Sequence, residues 1–410
     1  MWLIATLVYT VAVAQRSAIG VSIEAASDRY GVSVLALSVL PVVQLAIYAA
    51  LQVPAGCLLD RFGSRRTLTV GAFAIASGQL ILALSEDVVL ACTSRVLISA
   101  GDSVAFISVL RLVILRLSSR KATLLAQLTG AIGQIGAVAA AAPFLLLLQT
   151  WTWTPAFLAA SGVGTLAALA ALGAIRDTSS TRTTAQQLSI KELWRDPGVR
   201  LGYWTHFTTT FPTTGLLLYW GMPYLTTNGL TTPQAGMALS AVSLVGVAVG
   251  LIAAMVVVKW PSRGFVLSVS VSAVCAALWS TTLAFSTPPT WLIVSTAVAM
   301  GGSAPCGVVA FKFLRPAYAN ATSSTATGLV NSAGFTASVL AIAAVAAATA
   351  AGAHWGFGEP LRFALCVQLA FWTIGLSLMV VSFRSFRERV EQHGKPECSQ
   401  LTEGIRRHDC

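Results

Sequence analysis

The chain has 410 residues, of which 56% are hydrophobic and 10% charged, with a net charge of +11. A soluble domain carries roughly a quarter charged residues, so this composition excludes an ordinary soluble protein. Apolar stretches of about 20 residues recur from end to end, each long enough to cross a hydrocarbon core of ~30 Å, and the short alternating strands of a membrane barrel are not present.

The predicted spans run in order at 2–24, 34–58, 67–85, 88–112, 121–148, 153–175, 200–226, 234–258, 264–285, 290–312, 322–350 and 361–383. Span 1 contains VAVAQ (11–15), which looks like a cleavage site after an apolar start. The first basic residue is Arg16, so the positive region that opens a signal peptide is missing and the span is kept. The chain begins inside this span, and a short leader ahead of it is expected. Arg16 lies ~20 Å along the helix at 1.5 Å per residue. Span 2 carries Gln44, Tyr48 and Gln52, and it runs into the charged stretch GCLLDRFGSRR (56–66). Span 4 holds Arg95 and Asp102 and ends near Arg111. Span 5 carries Gln127 and Gln134.

Between spans 6 and 7 lies a polar segment rich in Ser and Thr (176–199), whose LSIKELW reads as a short surface helix. Span 7 presents His206, Thr210, Thr213 and Leu217 at helical spacing, and span 11 carries Asn331 and Ser332. The expected organisation is a six-helix bundle over 1–175, a linker over 176–199, a second bundle over 200–384 and a tail over 385–410. All but Arg16, Arg29, Arg95 and Arg362 of the 26 Lys and Arg fall on one side of this arrangement. Such asymmetry predicts both termini inside, in a multi-pass protein of the cell membrane. It also accounts for the positive charge without nucleic acid. The seven cysteines show no paired or ligand-like spacing, so no metal or cofactor is expected. Without a phosphate loop, a nucleophile elbow or a catalytic cluster, neither ATP-driven transport nor enzymatic activity is expected.

Shifting the first half by 198 residues lays TGAIGQIG (129–136) on TGLVNSAG (327–334), Arg61 on Lys259, Arg65 on Arg263 and Arg16 on Thr214. Two six-helix halves in parallel register follow. With twelve spans as six plus six and a polar central loop, the chain resembles the major facilitator superfamily. The loop between the second and third helices of that family carries G-x-L-x-D-R-x-G-x-R-R. Gly56, Leu58, Asp60, Arg61, Gly63, Arg65 and Arg66 match it in full. The resemblance implies an all-α fold of twelve transmembrane helices in two pseudo-repeats, and a conformational latch at this loop that Arg111 could approach. The second-half copy has Val256 and Val258 where an acid would be expected, so the latch is one-sided. RVLISAG (95–101) matches the fourth-helix motif R-x-x-x-G-x-G with Ser99 in place of its first Gly. The fifth-helix Gly-Pro pair of drug antiporters is absent, because Pro143 follows Ala142.

A charge in mid-membrane costs about 2.5–3.5 kcal/mol on the insertion scale, and it faces protein or water. Arg16 can grip a carboxylate or phosphate with a two-pronged fork. An arginine at this place also resembles the anion-carrying branches of the superfamily, the anion:cation symporters and organophosphate exchangers. A salt bridge from Arg16 to Glu24 or Asp102 is the competing reading. Asp102, tuned by Arg95 two turns away, is the expected proton carrier. A permanent pair of Asp102 with Arg95 or Arg16 is the alternative. Gln44, Tyr48, Gln134, Thr210 and Asn331 join Arg16 as expected solute contacts, and His206 is a candidate gate. The function expected is proton-coupled secondary transport of a small anionic organic solute by a monomer in the lipid bilayer. The alternatives are a multidrug or metabolite efflux antiporter and a solute sensor that moves nothing.

Overall fold

In hydrocarbon every backbone N–H and C=O must be bonded within its own segment, so long apolar runs become helices. The computed structural model describes residues 1–32, 37, 39–177, 189–260, 263–314, 324–354 and 360–393. Among these, ten helices are long and apolar enough to span a membrane. One is double: Val39–Leu84 breaks at Gly63, where φ is 79° and ψ 172°. A further span, residues 197–227, is interrupted by a π turn. The membrane helices are therefore α1 (Trp2–Val21), α2 (39–62), α3 (64–84), α4 (Val88–Arg116), α5 (Ser119–Trp151), α6 (Trp153–Ala174), α7 (197–227), α8 (Thr232–Lys259), α9 (Gly264–Ala284), α10 (290–312), α11 (Ser324–His354) and α12 (360–393). This is the twelve-helix architecture expected. Arg182, Arg315, Lys395, Arg406 and Arg407, with most of the predicted linker and tail, lie outside the described residues.

Several boundaries differ from expectation, and three have a local structural account. The predicted span 1 (2–24) is cut short: α1 ends at Val21, and a separate short helix, Ile23–Tyr30, follows. α7 starts at Pro197, because Asp196 caps it: its Oδ1 accepts from the amides of Gly198 (2.7 Å) and Val199 (3.2 Å). Proline at the first position fits, having no N–H to orphan. α12 continues past the predicted end at 383 to His393. An Arg387–Glu391 pair one turn apart and an Arg389–Asp196 contact of 2.6 Å hold this extension. The LSIKELW segment is helical over Ile190–Arg195, closed by a capping box between Ser189 and Glu192.

The internal repeat is visible in the packing. Gly136 of α5 seats on α1 at Thr10, and its repeat mate Gly334 of α11 seats on α7 at His206 and Thr210. α2 against α11 and α5 against α8 join the first six helices to the last six. The α2–α11 joint extends to the end that carries the 2–3 loop, here termed the basic end. There one apolar cluster spans both sets, bringing Phe106 and Leu110 against Phe311, Leu314 and Leu329. At the opposite end the described clusters are separate. Ile19, Leu82, Trp153 and Phe157 pack within the first six helices, and Trp220, Trp279 and Ile293 within the last six. Among the described residues, apolar packing joins the two sets at the basic end and not at the other.

α7 and α10 depart from regular helix. α7 contains the π turn Leu216–Trp220. α10 is broken between Thr290–Gly301 and Ser303–Gly307, then tightens into a 3₁₀ turn, Val308–Lys312. Thr213 of α7 enters that break. Its hydroxyl donates to the Met300 carbonyl (2.5 Å) and accepts from the Ala304 amide (3.3 Å). A side chain set into the helical ladder is a recognised cause of a kink.

Candidate functional site

The 2–3 loop is built around contacts to α11. A Cβ on Gly56 would lie 2.6 Å from the Ser324 carbonyl oxygen and from Thr325 Cα. Only glycine lets α2 come this close. One turn on, Asp60 meets the first described turn of α11. Its Oδ1 accepts from the Ser324 amide (2.9 Å), and its Oδ2 from the Thr325 amide (3.0 Å) and hydroxyl (2.8 Å). A carboxylate at a helix N-terminus satisfies donors that the helix leaves open. Arg111 of α4 completes the group, donating to Asp60 Oδ1 (2.5 Å) and to the Ser324 hydroxyl (2.6 Å). Three elements from both sets of six helices thus converge on one carboxylate. Gly63 takes the left-handed turn that follows, with Asp177 beneath it. The Asp177 carboxylate accepts from the Arg65 amide (3.0 Å), while Arg65 Nε reaches the Leu172 carbonyl (2.9 Å). Arg61 lies over Phe62, and Arg66 is exposed.

The repeat mate of this loop is built differently. Lys259 Nζ stands 4.6 Å and Arg263 Cζ 5.2 Å from the centre of the Trp260 ring. Neither cation forms a salt bridge among the described residues.

In mid-bundle, Arg16 Nη1 donates to Asp102 Oδ2 at 2.9 Å. Asp102 is fully buried, whereas the Arg16 side chain is 25% exposed. Arg16 also lies over the Tyr48 ring (5.7 Å), and its carbonyl accepts from Gln44 (3.5 Å). Of the acids weighed for Arg16, the structure selects Asp102 over Glu24. The expected tuning of Asp102 by Arg95 is corrected. Seven residues separate them along α4, about 10 Å of rise. From there Arg95 turns to Gln44 Oε1 (3.2 Å), and no Arg95–Asp102 contact forms among the described residues.

Beneath Arg16, towards the basic end, six rings form a floor. Tyr9 meets Phe106 (5.3 Å), Phe106 meets Phe311 (5.7 Å), and Phe311 meets His206 (5.4 Å). His206 then approaches Phe335 (6.2 Å), which meets Tyr48 (4.6 Å). Asn331 fastens the floor across the halves, donating to Gln52 (2.8 Å) and Tyr48 (3.4 Å). Gln44, Tyr48 and Asn331 are thus brought together around Arg16 and its floor. Thr210 is instead bonded to His206 Nδ1 (3.1 Å) on its own helix. Gln134 is half-buried on α5 and does not join this network among the described residues. Sequence reasoning missed Tyr9, Phe106, Phe311 and Phe335, because aromatic residues in a membrane span carry no signal beyond packing. It also missed Asp177, which read as one polar residue among many.

A separate pocket of about 520 Å³ opens at the end opposite the basic end between α7, α9, α11 and α12, lined by Tyr224, Asn228, Thr282, Thr349 and Arg362. It includes neither Arg16 nor Asp102. The charged pair is the stronger candidate centre, since charge enclosed by several helices is what a membrane protein keeps for function.

A family model described as Major Facilitator Superfamily matches residues 5–346. Among solved structures, the E. coli fucose:proton symporter FucP superimposes with a TM-score of 0.70 at 14% identity, over 93% of this chain and 97% of its own. The proton:xylose symporter XylE bound to 6-bromo-6-deoxy-D-glucose gives a TM-score of 0.74 at 14% identity, over 92% of this chain and 94% of its own. No curated protein matches. At such identity the likeness to these structures is one of fold.

Proposed function

This chain belongs to the major facilitator superfamily of membrane transporters, and from that premise we propose that it carries a small organic anion together with a proton. The observation that supports this reading is the Arg16–Asp102 pair in mid-bundle. An ionised Asp102 occupies the guanidinium that a solute carboxylate would need. Protonating Asp102 removes the competing charge, and Arg16 becomes available to an incoming anion. Proton and anion then bind together, which is the logic of symport. The second set of helices offers no competing carboxylate over residues 197–358, which contain neither Asp nor Glu. Gln44 and Tyr48 stand beside Arg16 as neutral contacts for the solute. His206, in the aromatic floor, serves as a gate element.

Alternating access follows from the two ends. With the basic end in the cytoplasm, as the arginine distribution suggests, the conformation described is closed inward, and the Asp60–Arg111–α11 cluster is the latch that holds it. Inward opening requires that cluster to part and the aromatic floor to split at both of its contacts between the halves, Tyr48–Phe335 and Phe106–Phe311.

Purified protein in liposomes, offered carboxylates under an imposed pH gradient, tests the proposal. Arg16→Ala is expected to abolish uptake of the solute identified. Asp102→Asn is expected to keep solute exchange and lose accumulation driven by the gradient. Uptake by Arg16→Ala at the wild-type rate would end the anion-grip reading. A second reading rests on the engagement of Arg16 by Asp102 already present. There the pair answers to protons alone and the solute is uncharged, as in the fucose and xylose symporters named above. Proton-driven uptake of a sugar, but of no carboxylate, would favour it.

A further inference from the structure

The cations of the last six helices have few acids to meet, since Asp196 is followed by no Asp or Glu until Glu359. Lys259 and Arg263 show the consequence. They sit at the ends of α8 and α9 and are exposed, and neither forms a salt bridge among the described residues. Their one marked contact is shared, the Trp260 ring, which holds the two charges within about 10 Å of each other. Trp260 N–H bonds to the Val256 carbonyl (2.8 Å), and Arg263 N–H to the Trp260 carbonyl (3.0 Å). Two like charges held together repel, and the arrangement is completed by an anion placed between them.

The surface below identifies what kind of anion. Trp260 is 41% exposed, as is usual for an indole at a membrane–water boundary. Leu251, Ile252 and Met255 are exposed on α8 and Val266 on α9. Met255 lies one helical turn from Lys259, on the same face. An apolar strip therefore leads along the bundle directly to the paired cations. We propose that this corner binds an anionic phospholipid, its phosphate between Lys259 and Arg263, its glycerol beside Trp260 and an acyl chain along Leu251, Ile252 and Met255. A zwitterionic headgroup brings an ammonium that both cations repel, so the site selects net negative lipids. The site stands apart from the transport centre and does not depend on the solute proposed above.

The test is native mass spectrometry of the purified chain titrated with phosphatidylglycerol or phosphatidylcholine. The wild type is expected to retain phosphatidylglycerol preferentially. K259Q/R263Q is expected to retain it about 30-fold less well, each cation supplying a comparable share. The charge-keeping K259R/R263K is expected to bind like the wild type, and K191Q/R195Q, on the surface helix, to leave this binding intact. Unchanged melting temperatures show that the variants are folded. Equal retention of the two lipids by the wild type overturns the proposal, as does undiminished phosphatidylglycerol on K259Q/R263Q. Displacement of the lipid by millimolar inorganic phosphate would also overturn it, because the acyl chain would then contribute nothing.

Discussion

The 2–3 loop and the 8–9 loop occupy the same place in the two repeats, and their chemistry has diverged. Both keep cations at matching positions, Arg61 with Lys259 and Arg65 with Arg263. Only the first keeps an acid, and among the described residues only the first bonds across the bundle. Asp60 draws α4 and α11 together. The second loop folds its cations onto its own tryptophan. Repetition of the cations is enough to orient a membrane helix. It does not make a joint, which needs a carboxylate that can accept from several donors at once.

Breaking the joint tests this contrast most strongly. Asp60→Ala removes the acceptor of three α11 hydrogen bonds and strands the buried Arg111. Breaking one side of such a pair is worth about 3–5 kcal/mol, enough to shift the population towards an open basic end. Spin-label distances across that end should lengthen; an unchanged distribution would show that Asp60 holds nothing. Gly56→Ala is the next largest perturbation, since its Cβ must displace the Ser324 backbone. Overpacking of this kind costs about 1–3 kcal/mol, and the same distances should broaden while the protein stays folded. In detergent without added lipid, K259Q/R263Q is expected to alter this equilibrium by less than about 0.5 kcal/mol, as surface changes usually do. A shift as large as that of Asp60→Ala would mean that the second loop also latches the bundle.

Much of this was legible in the residues. Hydropathy located the spans because the solvent imposes their length, and the 2–3 motif pointed to the family because its Gly and Asp are needed at fixed spacing. Arg16 and Asp102 stood out singly, each too expensive to be idle in a membrane. Their pairing was one of several alternatives, since 86 residues separate them, Glu24 was a rival acid for Arg16, and Arg95 lay on the same helix face as Asp102. Helical spacing shows which side chains share a face, but not which way a long guanidinium turns. The aromatic floor was hidden for another reason: its rings come from α1, α2, α4, α7, α10 and α11. Only the fold brings them into one layer.

Thr213 adds a mechanical constraint. Met300 and Ala304 are four residues apart, the spacing at which a helix bonds its own carbonyl to its own amide. The Thr213 hydroxyl stands where that bond would be. α10 therefore cannot close its ladder and straighten while α7 stays in place, and withdrawal of α7 would free the two groups to bond each other and close that ladder. The two broken helices are pinned at a single oxygen, so any rocking of this half must either carry them as one piece or pull the pin.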